Sequence, residues 1–453
     1  MVAQQEASLK LDFLIVGGGL GGLAVAHGLC KSGHRVRVFE KQESLVVSTG
    51  GIRVPPNMSK ILKSWAGAKA VEKTAVLCVG SPWYDMDTGE YMGYADWKPQ
   101  VMQETGGDFF TMKHADVHQL LYDLAIAAGA EVTWGVSVTS VEAGDPKPSI
   151  TLSTGEVLVA DMVIGADGPN SKVRQIISEE DDDDAEPEGL TILSGIVPAS
   201  EMLSDPELAK WVKSEDWAIF MGNGRGIGAH SVHGKEEYAI QLYWPDEDAG
   251  PELNGEDPWD NIVPVPSLKY DMAGENPGGS VKRVINKAQN MIRTRWTKRP
   301  QVEYWSDESG RIVLLGEAAH PWFPGGTHGP AMTLEDAMVF SALFARLKRE
   351  DQIGAFVSAY QEIREDRTRV VKGVDVSSAA LLRLPPGPER DERDRSIRQS
   401  RSEWDEGSLQ REFEGIAALF AYEAQDAADE WWLNWGRFHD DDKNERRPSL
   451  SFD

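Results

Sequence analysis

Three glycines stand where the backbone must meet a phosphate. Gly17, Gly19 and Gly22 form G-x-G-x-x-G directly after the apolar run Phe13-Leu14-Ile15-Val16. The first position needs glycine for the tight turn, the second lets a diphosphate approach the backbone, and the third lets helix and strand pack closely. The run from Leu23 is apolar with helical spacing and Gly33 caps it, so the amides and positive dipole end at the helix start face the phosphates, with Leu20 of the glycine turn among the cofactor-binding candidates. Val36-Arg37-Val38-Phe39 predicts a second strand with Glu40 at its tip. A carboxylate there can accept both hydrogens of an adenosine ribose diol and disfavours a 2'-phosphate. FAD and NAD both suit such a site, and this segment alone leaves the choice open.

Two later segments decide it. Asp161 to Ser171, followed by Arg174, predicts a strand running into a polar turn that holds Asp167 and Gly168. Arg311 to Leu315 predicts another strand. After it come an acid, Glu317, a Pro/Gly-rich turn and a helix from about Pro330. A helix N-terminus beside a flavin ring stabilises negative charge on the reduced ring. With these three segments in order, the chain resembles the class A flavoprotein monooxygenases, the family of para-hydroxybenzoate hydroxylase and salicylate hydroxylase, over roughly residues 10 to 370. Two shorter stretches, Gly51 to Asn57 and Trp432 to Arg437, are similar to the fungal salicylate-hydroxylase-like branch.

The resemblance implies FAD as resident cofactor and NADH or NADPH as a passing co-substrate. It implies hydroxylation of a small phenol with dioxygen through a C4a-hydroperoxyflavin, decarboxylative if salicylate or a related hydroxybenzoate is the substrate. Asp167 and Gly168 would touch FAD and the nicotinamide cofactor, with Asp161 helping to order that region. Glu317 would bind the ribityl chain, and the loop of Pro324, Gly326, Thr327, His328 and Gly329 would pass the flavin ring. The chain departs from the family in three places. Glu317 replaces the usual Asp. His114 stands where the family has Arg, and it lacks the fixed positive fork of a guanidinium; Lys113 beside it is a candidate to supply the charge. Thr327-His328-Gly329 replaces Gly-x-Gly, with Thr327 less free in φ. A larger fungal phenol, polyketide or indole as substrate, 4-hydroxybenzoate attacked at its carboxylated carbon, and a degenerate flavoprotein without turnover remain alternatives.

The elements that must position these residues define an α/β chain: a Rossmann-like FAD/NAD(P)-binding domain with an inserted, mostly antiparallel sheet and a helical C-terminal part. The expected divisions are FAD-binding residues 10–188 and 301–370, the substrate sheet 189–300 and a helical extension 371–453. Within the sheet, His230 falls on a strand that in related hydroxylases presents a catalytic histidine; imidazole suits proton removal from a phenol. His233 should face away from it by strand alternation. Arg225 and Arg53 are the candidate cations for an aryl carboxylate. Trp431, Trp432 and Trp435 are expected to serve packing or a dimer contact.

Composition narrows the partners. With 46 Lys plus Arg against 73 Asp plus Glu, the formal charge of −27 repels nucleic acid and anionic membrane. Eight acids lie in the run 179–188, read as a solvated loop rather than a calcium site. Two cysteines supply neither a disulfide framework nor a metal set, so no metal is expected. No segment reads as a signal peptide or a membrane span. The expectation is a cytoplasmic monomer or homodimer.

Overall fold

The computed structural model describes residues 6–45, 50–97, 99–178, 185–250, 261–265, 278–399, 415 and 418–439. A five-stranded parallel sheet forms the first layer, in the order Ile312–Leu314, Met162–Gly165, Asp12–Val16, Arg35–Phe39, Glu131–Thr133. Two of its three central strands, Asp12–Val16 and Met162–Gly165, are mostly apolar and buried, as a sheet covered by helices on both faces requires, and Arg35–Phe39 buries its Val36, Val38 and Phe39. The strands carrying the three sequence motifs are therefore neighbours or nearly so, and their C-terminal ends place the motifs side by side.

Five helices matter for the site: α1 (Leu20–Lys31), α2 (His114–Ala128), α3 (Gly329–Phe344), α4 (Ile353–Leu382) and α5 (Ala424–Asn434). α1 packs against both α2 and α3. The approach to α3 is close: a Cβ on Gly28 would come within 2.2 Å of the Ser341 Oγ. α3 is apolar all round and buried along nearly its whole length, yet it carries Glu335 and Asp336, both fully buried. α4 is longer than expected, continuing past residue 370 to Leu382. Its inward stripe runs Phe356, Tyr360, Arg364, Thr368, Val371, Asp375, Ala379, a spacing of four or three throughout.

Arg364 on that stripe meets the two acids of α3. Its Nη1 donates to Glu335 Oε2 at 2.6 Å and its Nε to Asp336 Oδ1 at 2.7 Å. Burial alone would push the Asp336 carboxyl up, but His320 and Arg364 hold it below the usual carboxylate range.

The second layer is an eight-stranded sheet with inner strands Asn290–Lys298, Glu186–Pro198, Glu237–Pro245, Gly226–Val232 and Ala218–Met221. It is antiparallel as expected, except where Ala218–Met221 pairs parallel with Gly80–Asp85. Gly80–Asp85 and Tyr91–Asp96 come from upstream of residue 188, so the sheet crosses the expected boundary there. The chain returns to the first domain only after lending this sheet its last two strands, Tyr91–Asp96 at the edge and Gly80–Asp85 next to it. The core of the acidic run, residues 179–184, lies outside the described residues, and Glu186 and Glu188 begin a strand. Among the described residues no helix is long and apolar enough to cross a membrane, and no cluster of ligating side chains could hold a metal.

Replacing Arg364 with Met keeps the volume but leaves two buried carboxylates without their main counter-charge. The expected loss is about 3–5 kcal/mol, read as a lower urea midpoint with an unchanged slope.

Candidate active site

The glycine turn has the shape its spacing predicted. Gly17 adopts φ +103°, and a Cβ there would strike the Ala166 carbonyl at 2.4 Å. A Cβ on Gly22 would lie 1.9 Å from the Gly17 carbonyl oxygen, so Gly22 is required by the turn itself as much as by helix-on-strand packing. Gly19, by contrast, borders open space. α1 begins there with no side-chain cap and no acid in its first turn. Uncapped amides at a buried helix end need an outside partner, and a dinucleotide diphosphate fits that need.

Glu40 stands at the strand tip as expected. Its Oε2 accepts from the Gly18 amide at 2.6 Å and its Oε1 from the Gln42 amide at 2.9 Å. The carboxylate thus braces the turn on the side where a ribose would lie. His118 of α2 braces it from the other side, its Nε2 bonding the Gly18 carbonyl at 2.7 Å. Sequence reasoning passed over His118; its signal is the spacing of four from His114 on a helix. His114 opens α2, half-buried, with its ring 5.9 Å from that of His118. Burial and then the neighbouring His118 push His114 down to about 3, so it is neutral at ordinary pH. Lys113 pairs with Glu237 at 2.8 Å, which places its charge against the large sheet.

The second and third motifs are stitched together by Arg174. Its buried guanidinium donates to the carbonyls of Pro169 at 2.6 Å and Ala318 at 3.2 Å. Asp167 Oδ2 accepts from the amides of Lys172 and Val173 at 2.8 and 3.3 Å, and Gly168 follows at φ +80°. Burial pushes the Asp167 carboxyl up. Asp161 instead holds the sheet, accepting from the Asp12 amide at 2.8 Å and pairing with Lys147 at 2.6 Å. Burial pushes Glu317 up to about 6, against the pull of His320, Lys372 and Arg174.

Pro324 to Thr327 form a half-buried loop, after which His328 and Gly329 are buried. α3 then starts without a side-chain cap or an acid in its first turn, which is the end expected beside a flavin ring. The loop is pinned from α4. Asp375 Oδ2 accepts from the His328 amide at 2.9 Å and from Trp322 Nε1 at 2.8 Å, and its Oδ1 meets His328 Nδ1 at 2.8 Å. Asp375 was missed from sequence. Its signal is an acid on the inward stripe of a helix read as ending at about residue 370.

Arg53 joins this loop to the large sheet. It is 2% exposed, donates to Gln241 Oε1 and to the Gly325 carbonyl, and lies 5.0 Å over the Trp217 ring. Among the described residues no carboxylate pairs with it. His230 faces the same corner, against Gly51, two residues before Arg53 on one strand. Burial and then Arg53 push His230 down to about 3. His233 lies beyond the end of its strand, in a turn at φ +50°, where it meets Asp116 at 2.9 Å; strand alternation therefore does not govern it. Arg225 is engaged by Asp248 and lies over Trp244 at 5.7 Å, and no hydrogen bond joins it to Arg53 or His230. Trp431 and Trp432 pack on Phe356 of α4, whereas Trp435 is 62% exposed.

A family model described as an FAD binding domain matches residues 10–374. The FAD-dependent monooxygenase OpS4 of Beauveria bassiana is 25% identical over 388 residues, 85% of this chain and 89% of that protein. The 3-hydroxybenzoate 6-hydroxylase 1 of Aquipseudomonas alcaligenes is 28% identical over 366 residues, 80% of this chain and 86% of that one. The crystal structure of CtdE with FAD and its substrate 4 has the same fold, with a TM-score of 0.76 at 16% identity over 95% of this chain and 100% of that one.

Two outcomes are expected. His114→Arg restores a cation at the cradle and tightens FAD about tenfold or more, as one charge-assisted hydrogen bond allows; flavin fluorescence titration measures it. Glu317 has a raised folded-state pKa, so its protonated form favours folding. That contribution is present below about pH 4.5 and lost as pH rises through about 6. FAD-free Glu317→Gln should therefore melt above the parent at pH 7 and gain nothing on it at pH 4.5.

Proposed function

The chain belongs to the FAD-binding-domain family as a class A FAD-dependent aromatic monooxygenase, and from that we propose that it uses NAD(P)H and dioxygen to hydroxylate a phenol bearing an anionic group, a hydroxybenzoate being the simplest case. The observation that carries the substrate class is Arg53. A buried guanidinium normally sits against a carboxylate, because an unpaired charge in a dry site costs several kcal/mol. Here its partners are an amide oxygen and a backbone carbonyl, and one face rests on an indole. An aryl carboxylate would complete the pairing and set the ring against the loop of residues 324–329.

FAD, when bound, supplies the hydride acceptor and the oxygen-activating chemistry. The chain's own residues do the rest. Gly17, Gly19, Leu20 and Gly22 with the start of α1 would hold the diphosphate. Glu40 would stand at the ribose, His114 and Asp167 at the middle of the cofactor, and Glu317 at the ribityl chain. The 324–329 loop and the start of α3 would face the ring with backbone amides. The sheet residues Gln241 and Tyr243 fix the loop through Arg53 and through Gly325, whose carbonyl accepts from the Tyr243 hydroxyl at 2.8 Å. Closure by the sheet would keep water from the reactive oxygen. His230 would contact the substrate hydroxyl as a neutral ring. A phenol titrating near ~10 would hand it a proton only against a steep gradient, so hydrogen bonding suits His230 better than the base role first expected. Arg225 would stay with Asp248, leaving Arg53 as the substrate cation.

The test is NADH and NADPH oxidation by FAD-loaded protein with 3-hydroxybenzoate, salicylate and 4-hydroxybenzoate, with products identified. Substrate-stimulated oxidation and a hydroxylated product are expected for at least one of the three. Arg53→Met should raise KM for that acid about tenfold to a hundredfold beyond the smaller loss that releasing the Gly325 contact causes for uncharged phenols. Equal losses for acids and uncharged phenols would remove Arg53 as the anion site.

A further inference from the structure

Hydroxylating a phenol requires a group to take its proton, and His230 is poorly suited to that. A better arrangement lies on the other wall. His328 is 5% exposed. Its Nδ1 meets Asp375 Oδ1 at 2.8 Å, and its own amide meets Oδ2 of the same carboxylate at 2.9 Å. A carboxylate that accepts at Nδ1 places the ring proton there, which leaves Nε2 with its lone pair. That Nε2 is buried and has no hydrogen-bond partner among the described residues. An unsatisfied buried acceptor costs about 1–3 kcal/mol, and in a site such a cost points to a ligand that meets it.

The surroundings are a packed cluster of aromatic rings, an apolar wall beside the free ring nitrogen. His328 lies 6.0 Å from Phe420, Phe420 lies 5.8 Å from Phe109, and Phe109 lies 6.4 Å from Trp217. Arg53 covers Trp217 and returns to the loop at Gly325, three residues before His328. Phe420 and Asp375 both lie past residue 374, where the family match ends.

Building on the proposed phenol hydroxylation, we propose that His328, oriented by Asp375, is the catalytic base that accepts the substrate's hydroxyl proton. The phenolic O–H bond breaks and an Nε2–H bond forms. The oxygen keeps the electron pair as a phenolate, and the imidazolium is held by Asp375. Asp375 is a positioning residue. Burial would push its carboxyl up, but His328 and the hydrogen bonds from His328 and Trp322 hold it below the usual carboxylate range, which keeps it available to a cationic ring. The groups around the dyad are Asp375 from α4, Trp322 from the loop, Phe420 from the C-terminal segment, and Tyr243 and Arg53 reaching Gly325 from the sheet side. Of these Arg53 carries the positive charge that would favour the phenolate.

The probe is 4-nitrophenol, whose ionised form absorbs in the visible. It is bound to FAD-loaded protein at a pH one unit below its ionisation in water and read as a difference spectrum. The parent protein should bind it as the phenolate. His328→Gln should bind it with similar affinity but with far more of it as the neutral phenol, the phenolate-to-phenol ratio falling about tenfold or more, one unit or more in apparent pKa. Asp375→Asn should give an intermediate spectrum. FAD affinity and circular dichroism check that each variant is folded. A phenolate band unchanged in folded His328→Gln would overturn the base assignment, as would neutral binding by the parent protein, and both leave phenol hydroxylation standing. Absence of binding by the parent protein, together with no turnover of the three hydroxybenzoates, would overturn both readings.

Discussion

Arg364 is buried to the last atom, and so are the two carboxylates it holds. That pairing decides how four distant parts of the chain meet. Asp336 uses its second oxygen on the Gly316 amide at 3.1 Å and on His320 Nε2 at 2.5 Å, which fixes the turn after the last strand of the parallel sheet. Glu335 accepts from Asn57 Nδ2 at 2.7 Å, which draws in the segment carrying Arg53. Tyr422 covers Arg364 at 5.6 Å and Arg367 at 4.4 Å, bringing the C-terminal segment to the same place. Removing ions from water is expensive, and a buried pair is worth keeping where it specifies one arrangement. Here the arrangement is that of the candidate active site.

The site draws its parts from separate layers. The parallel sheet and α1 make a cradle for a dinucleotide, built from backbone amides and from glycines that leave room. The large sheet contributes Gln241, Tyr243, His230 and Trp217. Between them the 324–329 loop is held twice, by Asp375 from α4 and by Arg53 and Tyr243 from the sheet side. A loop held at both ends can present a ring and a substrate in one geometry, which proximity-dependent chemistry requires. In the proposed reading, substrate choice falls to Arg53 and proton handling to His328, a side chain that differs from the family pattern.

Much of this was legible in one dimension. Gly17, Gly19 and Gly22 answer to a local steric rule, and the structure shows the same clashes that the rule presumes. The central strands of the parallel sheet and four strands of the large sheet announce themselves by apolar runs, because burial acts on each strand as a unit, whereas Asn290–Lys298 and the pair Gly80–Asp85 and Tyr91–Asp96 do not. The long α4 was half legible. Its inward stripe continues past 370, but polar residues at Arg364, Thr368 and Asp375 interrupt the apolar signal. Two of those interruptions hold the site together, Arg364 through the buried acids and Asp375 through the loop. Arg225 and Arg53 looked alike in sequence, since the type of a residue does not reveal whether an acid elsewhere will claim it; Asp248 claims Arg225.

By itself the sequence determined the dinucleotide cradle, the order of its three motifs and the α/β class, because each depends on residues near one another along the chain. Only the tertiary structure decided which histidine and which arginine face the same pocket. Asp375 lies 47 residues from His328, and Gln241 lies 188 from Arg53. Pairing at that separation is set by how α4 and the large sheet pack against the cradle, and that packing comes from the summed burial of many side chains rather than from any local pattern.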